Sequence, residues 1–169
     1  MSESNQLSAS LEDYLEAIYH IVAKKQAARA KDIADKLQVK SSSVTGALRA
    51  LAERKLVNYA PYDLITLTPH GQEIARDVIR RHEVLLEFFT KVLAIDGKEA
   101  DESACLMEHA IQPNILERFI KFLEFMDTCP RMKIKWISGE GGYHCDTEPN
   151  RTNCEKCILD IMPAGECTQ

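Results

Sequence analysis

No apolar run in the chain approaches the ~20 residues that a bilayer span requires. The first ten residues, MSESNQLSAS, lack the basic-then-apolar order of a signal peptide. A cytoplasmic protein with no membrane partner is therefore expected. No internal repeat recurs, and no phosphate-binding loop, obvious nucleophile or second catalytic constellation appears. An active site needs more than metal ligands, so a metalloenzyme is the weakest of the readings, and no enzymatic activity is expected. Cysteine is not scarce: there are six in 169 residues. In a reducing compartment they point to metal or redox chemistry more than to structural disulfides. The remaining composition, 45% apolar and 28% charged, suits a soluble folded chain of one domain or two small ones.

The net charge of −5 looks wrong for a protein that meets nucleic acid, but its distribution does not. Residues 24–55 hold nine basic side chains against three acidic ones, a local +6, whereas residues 69–169 carry 12 basic and 18 acidic. A basic patch on an acidic body is an electrostatic footprint for DNA, although solvated helix faces also carry such blocks.

Helical periodicity marks residues 11–24, with Leu11, Leu15, Ile18, Ile21 and Val22 on one face and Ser10 as the expected N-cap. A short helix over 30–37 and another over 42–54 follow, separated by a tight turn. That is a helix-turn-helix pattern. The strand-like runs 56–60 and 64–68, around Pro61, Tyr62 and Asp63, add a hairpin, and together these form a winged helix. Thr68-Pro69 opens a long helix to about residue 93. Its second half is apolar over an arc wide enough for a core plus a dimer seam. Gly97 reads as punctuation. Helices are expected over about 101–110 and from Pro113, the latter with Ile115, Phe119, Phe122, Leu123 and Met126 on its apolar face.

Cys105, Glu108 and His109 stand at i, i+3 and i+4, so a helix presents thiolate, carboxylate and imidazole together. All three suit a first-row transition metal. Asp13 and Glu16 repeat the spacing on the first helix, and His82 lies mid-helix. Each has an ordinary alternative role, Asp13 in capping and His82 in packing. On the helix-turn-helix, Lys31, Lys40, Ser41, Ser42, Ser43, Thr45 and Arg49 are the candidate DNA contacts, with N-capping the alternative for the serines. Gly46 offers no side chain for base readout.

Five motifs in order, SLEDYLEAIYHI, KDIADKLQVKSSSVTGALRAL, LTPHGQEIA, RRHEVLLEF and ACLMEHAI, closely resemble the diphtheria-toxin-repressor and manganese-transport-regulator family over about residues 8–127. The resemblance implies a mainly α fold in three parts. An N-terminal winged helix-turn-helix domain (1–70) precedes a helical metal-binding and dimerisation domain (71–130), with a small cysteine-rich tail (131–169) in place of the SH3-like domain of longer members. It implies that Asp13, Glu16, His82, Cys105, Glu108 and His109 occupy metal-ligand positions between the first two domains. It also implies a homodimer that represses transcription at palindromic double-stranded operator DNA of metal-homeostasis genes. The ligand set is a hybrid, since Cys105 resembles the iron-responsive branch and Asp13 the manganese branch. Thiolate softness favours Fe²⁺, with Mn²⁺ the alternative. Four residues after His82 the family often has Glu. Here stands Leu86, with Glu87 about 100° away around the helix, so the second metal position is expected to be altered or lost.

In the tail, Cys145, Cys154, Cys157 and Cys167 are spaced for an iron–sulfur cluster or, alternatively, Zn²⁺, with Cys129 and His144 as substitute ligands. The segment has too few apolar residues to fold without such a staple. A winged-helix redox or iron–sulfur sensor governed by these cysteines is the competing function. For the interdomain site, the expected switch is electrostatic. Clustered carboxylates repel until a cation fixes the first helix and, in a dimer, the spacing of the recognition helices.

Overall fold

The computed structural model of the protein describes residues 7–60, 64–128, 134–137 and 142–145. The helix-turn-helix comprises α1 (Ala9–Lys25), α2 (Ala30–Leu37) and α3 (Ser41–Glu53), followed by the short antiparallel pair β1 (Val57–Asn58) and β2 (Thr66–Leu67). Ser8 rather than Ser10 caps α1, its hydroxyl accepting from Leu11 N–H at 3.4 Å. This frees Asp13 from any capping role. Gln38 closes α2 in the left-handed region, its N–H returning to Ala34 O, and turns the chain into α3. The wing is short, and an isolated bridge between Ala28 and Ile65 ties it to the segment ahead of α2. The expected turn at Pro61, Tyr62 and Asp63 lies outside the described residues.

Leu15, Ile18, Ile33, Val44, Leu48, Leu51 and Ile65 form the centre of this first core. All but Ile65, which forms the bridge to Ala28, come from the apolar stripe of their own helix, so the helical spacing seen in the sequence is the packing interface. Leu11 and Val22 only edge it.

Next is α4 (Pro69–Glu87), capped by Thr68 with proline at its start. Thr68 accepts from Gly71 N–H at 3.0 Å and donates to Lys55 O at 2.8 Å, so the cap also fastens the end of the DNA-binding unit to the long helix. Ala75 belongs to the first core, whereas Leu85 and Phe89 belong to a second one with Ala100 and Ala104. One helix thus runs through both domains. It continues as a π-helical turn over Phe88–Val92. Then come α5 (Gly97–Met107) and α6 (Pro113–Thr128). Gly97 does not interrupt: Asp96 caps α5 through Lys98 N–H, and Gly97 is its first helical residue. On α6, Leu116 and Leu123 are the buried pair, while Ile115 and Phe122 are exposed.

Beyond residue 133 the chain forms an antiparallel hairpin of β3 (Ile134–Ile137) and β4 (Gly142–Cys145), with Ile134 opposite Cys145. The sequence reading expected a cysteine-dependent module there and named no strand. The strand-type residues Ile134, Trp136, Ile137 and Tyr143 are the overlooked signal. Cys129, Cys154, Cys157 and Cys167 lie outside the described residues.

Two glycines differ sharply in what surrounds them. A Cβ on Gly71 would run into the Leu56 carbonyl, but one on Gly46, within α3, would meet nothing within 4 Å. Gly71→Ala is therefore expected to destabilise the protein by about 2 kcal/mol or more through backbone displacement. Gly46→Ala should stabilise it by about 1 kcal/mol through helix propensity. Denaturant unfolding of the two variants checks both signs.

Candidate metal centre and DNA-facing helix

One turn into α1, Asp13 points at the end of α5, where Glu108 and His109 sit. The ligand-type atoms of Asp13, Glu108 and His109 all lie within 4.8 Å of one another. Glu108 is fully buried. Its Oε2 lies 2.7 Å from His82 Nδ1, while Oε1 has no hydrogen-bond partner among the described residues, His109 Nε2 being 3.4 Å away. A buried carboxylate oxygen left unpaired is costly. A cation held by Glu108, Asp13 and the imidazole would satisfy it, so the donor set fits a first-row divalent metal.

The other sequence-derived ligands surround this trio. His82 bridges Glu108 and, through Nε2 at 3.2 Å, Asp101. Glu16 pairs with His20 at 3.3 Å. The Cys105 thiol is exposed and is not within the trio, but it feels the charges of Glu108, Asp13, Glu16 and Asp101.

Three residues at the site escaped the sequence reading. Asp101 sits one turn before Cys105 on the face that carries Glu108. Glu12, nearly buried, lies 2.7 Å from His109 Nδ1 through Oε2. Arg81 donates to both Glu12 oxygens, at 3.2 and 3.4 Å, and to Glu108 O at 2.8 Å. Their signal was position: Glu12 is one turn from Leu15, and Arg81 lies between Val78 and Leu85, all three of these apolar residues fully buried. A charged residue on a buried face requires a partner. These contacts also revise the expected electrostatics. Arg81, His82 and His109 offset part of the expected repulsion between the carboxylates, while Glu16 still acts on Glu108.

Proton affinities follow from this crowding. Burial, and then the charge of Glu16, push Glu108 above the ordinary carboxylate value, although His82 pulls the other way. Burial alone would lower the His109 value. The hydrogen bond to Glu12 and the charges of Asp13, Glu108 and Glu12 outweigh it, and the net direction is upward. Burial and the four neighbouring carboxylates also raise the Cys105 thiol.

On the opposite side of the first domain, α3 begins at Ser41 after the N-cap residue Lys40, with no side-chain capping bond. The serines are therefore not N-caps. Ser41, Ser42, Ser43 and Arg49 are exposed at the start and along one side of the helix, with Lys31 and Lys40 exposed nearby. The Thr45 hydroxyl is turned inward, donating to Ser41 O at 3.0 Å. First-turn N–H groups without a side-chain cap, beside basic side chains, make a phosphate-ready surface. Lys25 contributes less to it, because Asp32 holds its ammonium at 2.7 Å. Among the described residues no helix is long and apolar enough to cross a membrane.

Comparison with known proteins finds two family descriptions in order along the chain. The description "Iron dependent repressor, N-terminal DNA binding domain" matches residues 6–64, and "Iron dependent repressor, metal binding and dimerisation domain" matches residues 68–137. An uncharacterized HTH-type transcriptional regulator of Methanocaldococcus jannaschii is 39% identical over 119 residues, covering 70% of this chain and 95% of that protein. The HTH-type transcriptional regulator MntR of Lysinibacillus sphaericus is 34% identical over 121 residues, covering 72% and 86%. The structure of the manganese regulator SloR superposes with a TM-score of 0.62 at 30% identity, covering 72% of this chain but only 56% of that one. The crystal structure of T. acidophilum IdeR gives 0.61 at 28% identity, covering 82% and 62%. The chain thus spans little more than half the length of these solved neighbours. The matched families and relatives are transcriptional regulators, not enzymes. With both family domains matched in order, the chain belongs to the diphtheria-toxin-repressor and manganese-transport-regulator family of metal-dependent transcriptional repressors.

Proposed function

We propose that the protein is an Fe²⁺-responsive repressor, with Mn²⁺ as the alternative activator, that binds palindromic operator DNA as a homodimer and controls metal-homeostasis genes. The observation that carries this reading is the trio Asp13, Glu108 and His109, which joins the first helix of the DNA-binding unit to the helical domain. Asp13, Glu108 and His109 are the inner ligands in this reading. Glu16, His82 and Cys105 complete the set around them, and Asp101 stands 3.2 Å from His82 Nε2. A bound divalent cation supplies the positive charge that pins α1 to α5. The chain's own contribution is to present oxygen and nitrogen donors from two domains to one point. Cys105 tips the choice toward Fe²⁺, because a thiolate is softer than the carboxylates beside it.

The DNA contact falls to Lys31, Lys40, Ser41, Ser42, Ser43 and Arg49, with Thr45 adding a methyl group rather than a free hydroxyl. Two copies of α3 must lie ~34 Å apart to enter successive major grooves on one face of the duplex. The second copy is expected on an apolar groove of about 320 Å³ lined by Phe88, Ile115, Arg118, Phe119 and Phe122. The domain that carries this groove matches a family description that includes dimerisation.

Three measurements test this reading. Anaerobic fluorescence anisotropy on an operator selected from random duplex DNA should show affinity rising about 100-fold with Fe²⁺ or Mn²⁺. Glu108→Gln should abolish that rise, and equally tight binding without metal would overturn the function. The second measurement is pH dependence. Glu108 and His109 hold protons more tightly in the folded chain, so their contributions to stability are present at low pH. They are lost as pH rises past the ordinary values of 4.5 and 6.5 and through the raised folded ones. Metal binding displaces those same protons, so the rise in Tm on adding Mn²⁺ should grow from about pH 6 to about pH 8. Third, Phe122→Glu should give a monomer by sedimentation velocity, with weakened operator binding and the metal affinity of each chain retained.

A further inference from the structure

We propose that Glu12 and Arg81 are positioning residues of the metal centre. In this arrangement Arg81 fixes the Glu12 carboxylate, and Glu12 holds the His109 ring with Nε2 directed at Asp13 and Glu108. The inference rests on the metal reading of Asp13, Glu108 and His109 and adds the residues that orient one of the three.

The geometry leaves Glu12 one role. Its Oε1 accepts from Arg81 Nη2 at 3.2 Å, and its Oε2 accepts from Arg81 Nη1 at 3.4 Å and from His109 Nδ1 at 2.7 Å. Both oxygens are therefore engaged within the protein, and Glu12 is withheld from coordination although it adjoins Asp13. A carboxylate only accepts, so the proton between Glu12 and His109 belongs to Nδ1. The other ring nitrogen, Nε2, lies 2.8 Å from Asp13 Oδ1 and 3.4 Å from Glu108 Oε1; without a metal it donates to Asp13 in the same way, and a cation bound there would take the place of that proton. Carboxylates that accept the second ring N–H of a metal-binding histidine fix its tautomer and raise its basicity.

Arg81 does a second thing at the same time. Its Nη1 also donates to the Glu108 backbone carbonyl at 2.8 Å, at the C-terminal end of α5. One guanidinium from α4 thus sets the distance between the α1 carboxylate and the end of α5, where Glu108 and His109 stand. Its side chain is 13% exposed and that of Glu12 is 11%, so the fork is little screened by solvent. Lysine could supply the charge but not the planar fork that meets two acceptors.

The test uses the full-length chain with Glu12→Gln and Arg81→Lys. Mn²⁺ affinity is read by competition with a fluorescent chelator, and the His109 tautomer by long-range ¹H–¹⁵N correlation in metal-free protein at alkaline pH. Glu12→Gln should weaken Mn²⁺ binding about 10–100-fold and shift His109 away from the Nδ1–H form. Arg81→Lys should show the same two changes to a smaller degree. Unchanged tautomer and affinity in a folded Glu12→Gln protein would overturn the proposal. If that variant does not fold, the same two measurements on Arg81→Lys decide it. Wild-type protein that binds no Mn²⁺ would sink the metal reading, whereas the tautomer measurement on metal-free protein would still decide how His109 is positioned.

Discussion

A fully buried glutamate between two domains is the constraint around which this molecule is organised. Glu108 brings a carboxylate to the end of α5 at a point that α1 and α4 both cover. Removing an ion from water costs several kcal/mol unless partners replace the solvent. His82 supplies one partner from α4, and His109 approaches the other oxygen without completing a hydrogen bond. Arg81 satisfies the Glu108 backbone carbonyl instead. The seam is therefore nearly, but not wholly, balanced by the protein itself. In the proposed metal reading, the unmet acceptor would give a cation a differential affinity for this arrangement over one in which α1 has moved away.

Helix α1 is suited to pass such a preference on. Leu15, Ile18 and Ile21 face the first core with Ile33, Val44 and Leu48, so α1 is as much part of the DNA-binding unit as the recognition helix. Within its first two turns, Glu12 and Asp13 bond His109 of the helical domain. A packed core shifts as a unit. A force on Asp13 is thus a force on the orientation of α3, without any chain of intermediate rearrangements. The Thr68 cap, bonded to Lys55 O and Leu56 O, is the second attachment between the unit and α4.

Much of this was legible before any coordinates. The three helices of the DNA-binding unit follow their apolar stripes, and Thr68-Pro69 marks the start of α4 because cap chemistry is local. Caps that depend on neighbours were less so: Ser8 displaced Ser10, and Asp96 carried α5 through Gly97. Asp13, Glu108 and His109 were readable as ligand types at helical spacing. Glu12 and Arg81 were not, because nothing in EDYLE or RRHE distinguishes a surface charge from a buried one until α1 and α4 are placed side by side. Burial is a tertiary property, and the sequence signals it only through position on an apolar face.

The exposed thiol bears on which metal the seam prefers. Asp13, Glu108 and His109 alone form an oxygen-rich donor set that suits a hard ion such as Mn²⁺. Cys105 adds softness only if its thiol loses a proton, and burial together with Glu108, Asp13, Glu16 and Asp101 opposes that loss. A metal that binds thiolate strongly recovers this cost, and one that binds it weakly does not. The same four carboxylates that attract any divalent cation therefore sharpen the choice among cations. In the proposed Fe²⁺ reading, this is where an ion that holds sulfur well would gain over one that does not.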